Sequence, residues 1–385
     1  MPSLIRVELT NFLSYRDAKV DFAELTALVG PNASGKSNAA AALKLLRDIP
    51  EYGLQTALLR RGGFDQLRHR SEGRPYDPKI AVDFVDIETF GSERRAQGRY
   101  ELELASVAGG RYAVKREYGR VDMAGELWEF TNSRGKLAVA SPQGEARNAV
   151  PSELPAVPDG QSALGVAVSF GPFYPFWTFF SSLQVVEINP ARVRELQEPT
   201  PGYNFEPDGS NCASVYDGLP AEARRHLIDE LAAIIPNLEN IEVRRFSNKM
   251  TLSFHQRAGD RTRVFLANQM SDGTLRAFAI LLALYQPSRP SVLLVEEPEI
   301  AIHVGALQTL VEILREHAGD SQIVLTTHSA DIIDSLDVAA LRVVWAEDGI
   351  SHIAPVAEHT IETVRSGLIT PGALLRADSL DPASA

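Results

Sequence analysis

The feature that most constrains this chain is a glycine-rich loop between an apolar run and an alanine-rich run. The loop reads Gly30-Pro31-Asn32-Ala33-Ser34-Gly35-Lys36-Ser37. A Gly-x4-Gly-Lys-Ser match between a strand and a helix is typical of a phosphate site, because glycines let backbone N–H groups surround a polyphosphate. We expect Lys36 to contact β- and γ-phosphates and the Ser37 hydroxyl to hold Mg²⁺. The alternative is a glycine turn that only begins a helix.

The composition is that of an ordinary globular protein, with 385 residues, 44% hydrophobic and 23% charged. This length suggests two or three domains, or one large domain. No apolar run is long enough to span a bilayer, and the first residues have no signal-peptide pattern. The single cysteine, Cys212, excludes an internal disulfide and suits a reducing compartment. We therefore predict a cytoplasmic protein with no membrane partner.

The net charge of −12 argues against a protein that coats nucleic acid through bulk charge. Basic residues nevertheless cluster in three stretches, each either a phosphate-contact patch or a solvated face. They are Arg60, Arg61, Arg68, Arg70 and Arg74; Arg94, Arg95 and Arg99; and Arg244, Arg245, Lys249, Arg257, Arg261 and Arg263. Charge alone leaves DNA open as a partner.

Hydrophobic periodicity predicts a mixed α/β chain. A helix is expected from Ser37 to about Arg47, with Pro50 just past its end. Period-two alternation over 79–139 predicts an antiparallel meander with one solvated face. The seven aromatic residues in 170–180 favour a core or interface role.

The second half of the chain is predicted to contain further strands and helices. Residues 141–163 suggest a surface excursion and 197–210 a loop, while 220–235 shows helical spacing. Strands are predicted at 183–188, 239–246, 249–256 and 262–266. The chain has no sustained heptad repeat, so we expect no coiled-coil arms.

Adjacent carboxylates follow a second apolar strand, 260 residues after Lys36. The strand 291–295 leads into Glu296 and Glu297. At the carboxyl end of a parallel strand, the first carboxylate can bind Mg²⁺, and the second can orient the water that attacks a γ-phosphate. We assign Glu296 to the metal and Glu297 to the water. An acidic helix start is the alternative.

Two more segments complete the pattern. A Ser-x-Gly turn, Ser271 to Gly273, precedes the apolar helix 277–285 and could present a hydroxyl and N–H groups to an anion, or simply cap the helix. The apolar strand 322–327 ends at His328, which could contact a γ-phosphate or water, or be structural.

These motifs resemble, in their order, the ATP-binding head of the ABC superfamily, in the branch that contains RecF, the SMC proteins and the OLD nucleases. The similarity is greatest to stand-alone RecF/OLD-like ATPases. The motifs of this chain that resemble theirs are Gly-Pro-Asn-Ala-Ser-Gly-Lys-Ser-Asn, Ser-Asp-Gly-Thr-Leu-Arg, Glu-Glu-Pro-Glu-Ile-Ala-Ile-His and Thr-Thr-His-Ser. The resemblance covers about 1–86 and 181–335. Only some fifty residues follow His328, so we expect no Toprim nuclease domain.

The resemblance implies a shared ATP site in a homodimer that forms on ATP binding. ATP and Mg²⁺ would be the cofactors, with Asn32, Ser34, Gly35, Lys36, Ser37 and Asn38 holding the nucleotide in cis. Ser271 and Gly273 would contact it from the partner copy, with Glu297 and His328 as catalytic residues. Arg60 or Arg61 looks like the arginine loop of SMC heads. The glutamine of the Q-loop is not evident, and Asn189 is the candidate to replace it beside Ser37 and Glu296 at the metal.

We expect an ABC-type P-loop fold: a mixed central sheet flanked by helices, plus an antiparallel β-meander lobe. The predicted divisions are an N-terminal lobe (1–180), a connecting segment (181–270), a C-terminal lobe (271–355) and a tail (356–385). The predicted function is an ATP hydrolase that controls a partner or DNA, in genome maintenance or phage defence. The alternative is a non-catalytic ATP-sensing switch that regulates a separately encoded toxin or nuclease.

Overall fold

The architecture is taken from a computed structural model that describes residues 2–70, 75–86, 96–123, 125–141, 154–200 and 204–383. Three arginines of the predicted basic clusters, Arg74, Arg94 and Arg95, lie outside the described residues. Parts of the predicted excursion 141–163 and loop 197–210 also lie outside them.

Strands make up much of the described chain. They are β1 (Ser3–Phe12), β2 (Tyr15–Asp21), β3 (Leu25–Val29), β4 (Lys79–Asp86), β5 (Ala96–Val107), β6 (Arg111–Met123), β7 (Glu126–Ser133), β8 (Lys136–Ala140), β9 (Leu183–Val186), β10 (Leu238–Phe246), β11 (Lys249–Ala258), β12 (Arg261–Leu266), β13 (Val292–Glu296), β14 (Gln322–Thr327), β15 (Leu341–Glu347) and β16 (Ile350–Pro355).

Helices pack on these strands and connect them. They are α1 (Lys36–Tyr52), α2 (Leu54–Leu59), α3 (Phe64–Leu67), α4 (Leu164–Ala167), α5 (Tyr174–Ser181), α6 (Pro190–Arg194), α7 (Cys212–Gly218), α8 (Ala221–Ile234), α9 (Asp272–Tyr285), α10 (Val304–His317), α11 (Ala330–Asp334), α12 (Glu358–Arg365) and α13 (Pro371–Arg376).

Thirteen strands form one mixed sheet, in the order β8-β7-β6-β5-β4-β1-β2-β16-β15-β3-β14-β13-β9. Strands β15, β3, β14, β13 and β9 run parallel to one another. Their register pairs Val29 with Thr327 and Thr326 with Glu296, so β3, β14 and β13 end at the same edge. This mixed sheet with flanking helices confirms the predicted fold class.

The parallel strands are buried on both faces, which explains their continuous apolar sequences. In β13, Leu293 and Val295 pack into one hydrophobic core with α8, α9 and α10, while Val292 and Leu294 pack into a second core with α1 and α5. The parallel strands therefore lie between two layers of helices, and their ends are held in fixed positions.

Residues 79–139 form the predicted antiparallel meander, β4 to β8. Buried and more exposed residues alternate along much of β5, as expected for a strand with one solvated face. Helix 220–235 and the three strands after it are confirmed as α8 and the separate sheet β10-β11-β12.

The predicted end of α1 is wrong. Helix α1 runs to Tyr52 with Pro50 inside it, and the Gly53 N–H donates to the Ile49 carbonyl at 2.9 Å. A proline near the carboxyl end of a helix removes only one backbone donor, and Gly53, with φ of 78°, provides the turn that ends this helix.

Helix lengths and sheet pairing bear on three further expectations. Across the described ranges the longest helix, α1, has 17 residues, which agrees with the absence of coiled-coil arms. Within the same ranges, no helix is both long and apolar enough to cross a membrane. The four-part domain division stays a prediction, although β3 and β9 pair with β14 and β13 in one sheet.

An aromatic layer joins α5 to the meander. Phe176 is fully buried and lies 5.5 Å from Phe84, 6.0 Å from Tyr100 and 5.9 Å from Phe130, measured between ring centroids, with the rings edge to face. Phe84 also stacks on Phe179 at 4.3 Å. Such pairs add to the burial energy of each ring. The core role predicted for 170–180 is therefore confirmed.

We predict that Phe176→Ala lowers the free energy of unfolding by about 3–5 kcal/mol, because the lost ring leaves a cavity inside a packed layer. Urea unfolding followed by tryptophan fluorescence measures the change. The matched control is Tyr174→Ala, in the same helix but 43% exposed, which should cost less than about 1 kcal/mol. Equal losses in the two variants would contradict the packing described for α5.

Candidate functional site

The glycine loop connects β3 to α1 through a backbone that most side chains cannot adopt. Ala33 has φ of 63° and Gly35 has φ of 117°. A Cβ at Gly35 would collide with the Ser351 side chain, and a Cβ at Gly30 would collide with the Val344 carbonyl oxygen. Glycine is thus required at both ends of the loop by the strands that pack against it.

A second layer of polar contacts fixes the start of α1. Tyr15 Oη donates to the Gly35 carbonyl at 3.0 Å, and Asn38 Nδ2 donates to Ser14 Oγ at 2.7 Å. Ser351 Oγ donates to Ser14 Oγ at 2.7 Å. These contacts were not predicted from sequence, because β2 and β16 come together only in the folded sheet.

Lys36 lies inside the loop, with Nζ donating to the carbonyls of Gly30 and Pro31 at 2.8 Å each. Burial lowers the pKa of Lys36, and the charges of Glu297 and Glu299 act in the opposite direction. The Lys36 ammonium therefore belongs electrostatically to the same site as these carboxylates, although Lys36 and Glu297 lie far apart in sequence.

The other predicted loop residues differ in exposure. Asn32 and Ser37 are exposed, Gly35 is buried, and Asn38 contacts Ser14. Ser34 is buried, and its hydroxyl has no hydrogen-bond partner among the described residues. A buried hydroxyl without a protein partner, in a loop at a helix N-terminus, fits a phosphate ligand.

Glu296, at the end of β13, is paired with a lysine. Its Oε1 lies 2.6 Å from Lys44 Nζ, which also donates to Glu187 Oε2 at 2.7 Å. The Glu296 side chain is 10% exposed. Burial raises the pKa of Glu296, and the Lys44 charge partly offsets that rise. The carboxylate chemistry of Glu296 and the exposed Ser37 hydroxyl fit Mg²⁺, which prefers oxygen ligands.

Lys44 was missed by the sequence analysis. It follows Ser37 by seven residues, which is two helical turns, so both side chains lie on the same face of α1. That spacing could have indicated that Lys44 approaches the carboxylates at the end of β13.

Glu297 has φ of 43°, and its N–H donates to the Thr326 carbonyl at 2.9 Å. The hydrogen bond extends the pairing of β13 with β14, and the positive φ turns the chain after it. The Glu297 side chain is 30% exposed, and its Oε1 lies 3.8 Å from His328 Nδ1. A carboxylate at the edge of the sheet, open to solvent and beside an imidazole, can polarise a water molecule.

Glu299 lies closer to the histidine than Glu297 does. His328 Nδ1 is 3.2 Å from Glu299 Oε1, and the His328 N–H donates to the same oxygen at 2.9 Å. The sequence analysis gave Glu299 no role. Its position in Glu-Glu-Pro-Glu, two residues after Glu297, was the available signal.

The Ser271 turn caps α9. Ser271 Oγ accepts from the Thr274 N–H at 3.2 Å, and Arg194 pairs with Asp272 at 2.5 Å. A Cβ on Gly273 would collide with the Ala301 carbonyl oxygen. Within this chain Ser271 therefore acts as the N-cap of α9, which was the alternative to an anion site, and its side chain remains exposed.

The remaining predicted residues have partners away from the loop. Arg61 pairs with Asp48 at 2.9 Å, and the exposed Arg60 lies 4.2 Å over the Tyr52 ring. Asn189 Oδ1 accepts from the Ala191 N–H at 3.1 Å and caps α6. Nucleotide roles for the arginines and a metal role for Asn189 stay predictions.

Comparison with known proteins identifies the family of this chain. Residues 25–155 and 174–334, more than half of the chain, match the family described as "AAA domain, putative AbiEii toxin, Type IV TA system". The chain belongs to this family. The predicted recognition as an ABC-type ATPase head of the RecF/SMC branch is confirmed.

Structural relatives of this AAA-domain chain are SMC heads. The Smc head domain with an extended coiled coil bound to the C-terminal domain of ScpA, from Pyrococcus furiosus, aligns with a TM-score of 0.57 and 13% identity over 96% of this chain and 100% of that one. A head domain bound to the C-winged helix domain of ScpA aligns with a TM-score of 0.56 and 14% identity, over 95% and 99%. These likenesses show the fold.

A curated relative is Structural maintenance of chromosomes protein 1 of Arabidopsis thaliana. It is 25% identical over 121 residues, which make up 31% of this chain. The match spans only 9% of that protein's length.

We predict that Lys44→Met destabilises the metal-free protein by about 3 kcal/mol near neutral pH, because Glu296 is left buried without its counter-ion. A carboxyl group with a raised folded pKa costs stability above that pKa and regains it on protonation. The loss should therefore shrink as the pH falls from about 8 to about 5.

Urea unfolding at both pH values, with EDTA present, measures this loss. The control is Lys44→Met in a Glu296→Gln background, where the pH-dependent part should be absent. A loss that is independent of pH would contradict the ion pair as its cause.

Proposed function

We propose that this protein is an ATP-binding and ATP-hydrolysing head that pairs head to tail around two ATP–Mg²⁺ and uses turnover to control a partner. The observation that carries the proposal is the shared sheet edge, where β3, β13 and β14 end in register. That edge brings together Lys36, Glu297 and His328, which lie far apart in sequence.

The chemistry assigns one task to each group. Lys36 and the loop N–H groups bind the β- and γ-phosphates, and Ser34 donates its free hydroxyl. Ser37 and Glu296 would hold Mg²⁺, which when bound neutralises phosphate charge. Glu297 orients the attacking water and accepts its proton, while His328 accepts a hydrogen bond from the same water beside the γ-phosphate. Lys44 must share Glu296 with the metal.

The pairing of two copies rests on the position of the α9 turn. Ser271 is exposed, and its described contacts lie within its own turn. A helix N-terminus with a free face favours an anion. In a head-to-tail dimer this turn would reach the nucleotide bound to the partner's Lys36. Arg60, exposed beside Tyr52, is better placed than the tethered Arg61 to contact nucleotide or DNA.

A second function is supported by the family description, which names a toxin–antitoxin system. In that case the same ATP site would act as a non-catalytic switch for a separately encoded toxin or nuclease. The SMC heads bound to ScpA offer a precedent for partner docking on such a fold. Genome maintenance, phage defence and a cytoplasmic location remain part of the proposal.

We predict that Glu297→Gln binds ATP but turns it over at least about a hundredfold more slowly, and accumulates as a dimer. Lys36→Ala should lose nucleotide affinity, because the phosphate contact is removed. Steady-state phosphate release, ATP binding and analytical ultracentrifugation with ATP distinguish these outcomes. Wild-type-like turnover by Glu297→Gln would contradict its role. Turnover near background in the wild type would favour the switch.

The composite site has a sharper test in mixed dimers. Lys36→Ala disables one half of each site, and Ser271→Asp disables the other, since aspartate still caps α9 but repels phosphate. Each variant alone should be inactive. In an equal mixture, half of the dimers contain one intact site, so about a quarter of the wild-type turnover should return.

The matched comparison is Ser271→Asn, which also caps α9 but carries no charge and should retain more turnover alone than Ser271→Asp. An equal mixture that stays inactive, although ATP still forms mixed dimers of the two variants, would contradict the head-to-tail arrangement.

A further inference from the structure

One oxygen of Glu299 gathers the polar groups at the end of β14. Glu299 Oε1 accepts from Thr327 Oγ1 at 2.8 Å and from the His328 N–H at 2.9 Å, and it lies 3.2 Å from His328 Nδ1. Thr327 Oγ1 in turn accepts from the Ser329 N–H at 3.0 Å. A single carboxylate therefore fixes both the turn after β14 and the imidazole ring.

This contact favours one position for the imidazole proton. An ionised carboxylate repels a nitrogen lone pair, so a Glu299 oxygen 3.2 Å from His328 Nδ1 favours the ring with its proton on that nitrogen. The neutral ring then presents Nε2 as an acceptor. His328 is 41% exposed, so Nε2 remains accessible at the sheet edge.

Glu299 and Glu297 differ in a way that separates their tasks. The Glu299 side chain is 9% exposed, whereas that of Glu297 is 30% exposed. Glu297 lies farther from the imidazole, at 3.8 Å. The more open carboxylate is suited to water, and the buried one is suited to holding a protein group in place.

We propose that Glu299 is the positioning residue for His328: it holds the ring in place and selects the tautomer with the proton on Nδ1. The inference rests on the proposed function, because it assigns Glu299 a part in ATP turnover. In this proposal Glu299 does not itself contact the substrate. It acts through the orientation of His328, as a buried carboxylate orients a catalytic imidazole in other enzymes.

The Glu299 loop also touches the start of α9. The Ile302 N–H donates to the Glu299 carbonyl at 3.2 Å, and Ala301 has φ of 63°. Gly273 packs so closely on Ala301 that a Cβ there would collide with it. The segment 299–302 therefore packs directly against the start of α9, where a nucleotide bound by the partner copy would lie in the proposed dimer.

The first test is a double-mutant cycle on ATP turnover. Glu299→Gln keeps the size of the side chain but removes its charge, and should lower kcat by about tenfold or more while ATP affinity changes less than about twofold. In a His328→Ala background the same substitution should change kcat less than about twofold, because its target is gone. Equal fold-changes in both backgrounds would overturn the proposal.

A matched control is Glu312→Gln on α10, an exposed position with the same loss of charge. It should leave kcat and ATP affinity within about twofold of the wild type. A loss of kcat in this variant similar to that of Glu299→Gln would assign the effect to net charge and overturn the proposal.

The second test needs no turnover. Nitrogen-15 histidine spectra at about pH 8 identify the tautomer of each neutral ring. The His328 signal is assigned by its loss in His328→Ala. The wild type should show the proton on Nδ1, and Glu299→Gln should shift the ring toward a mixture of tautomers.

A wild-type ring with its proton on Nε2 would overturn the proposal even if Glu299→Gln fails to fold. Wild-type protein that does not hydrolyse ATP but shows the Nδ1 proton would overturn only the proposed hydrolysis.

Discussion

The parallel pairing of β3, β14 and β13 is the constraint on which the rest of the structure depends. Hydrogen bonding in this register brings Val29, Thr327 and Glu296 to one line across the sheet. The groups that follow these strands have no other reason to meet, since they come from three distant parts of the sequence. Two apolar layers hold the strands so that this line cannot slip without exposing a core face.

Charge is handled differently on the two sides of that line. On one side, Lys44 neutralises the buried Glu296 and connects it to the exposed Glu187. On the other, Glu299 forms no salt bridge with a lysine or arginine among the described residues, and its Oε1 accepts hydrogen bonds from the Thr327 hydroxyl and the His328 N–H. A buried charge needs either a counter-ion or several donors, and this site uses one solution for each carboxylate.

Local signals allowed much of this arrangement to be predicted. The glycine loop, the apolar parallel strands and the alternating meander each follow from short-range chemistry, and their order matched a known head. Pro50 led to a predicted end of α1 that is too early. One missing backbone N–H near the end of a helix costs little stability, and Gly53 ends the helix instead.

Contacts between distant segments were not predictable from periodicity. Lys44, Glu299 and the Ser14–Ser351 pair matter through neighbours that only the folded sheet supplies. Asn189 was proposed from its place after a strand, but its side chain is used for a helix cap. The local sequence pattern identifies residues whose side chains could bind a ligand or a metal. Packing then determines which of those side chains are already used in contacts within the protein.

Part of the support under the glycine loop comes from β16, which follows the loop by more than 300 residues in sequence. Ser351 donates to Ser14, whose neighbour Tyr15 holds the Gly35 carbonyl, and β16 pairs with β2 at Ser351 and Tyr15. During synthesis Ser14 and Tyr15 emerge just before the loop, but the Ser351 contact cannot form until β16 has left the ribosome. A growing chain therefore holds the glycine loop from one side only, and the full set of supporting contacts forms once β16 joins the sheet.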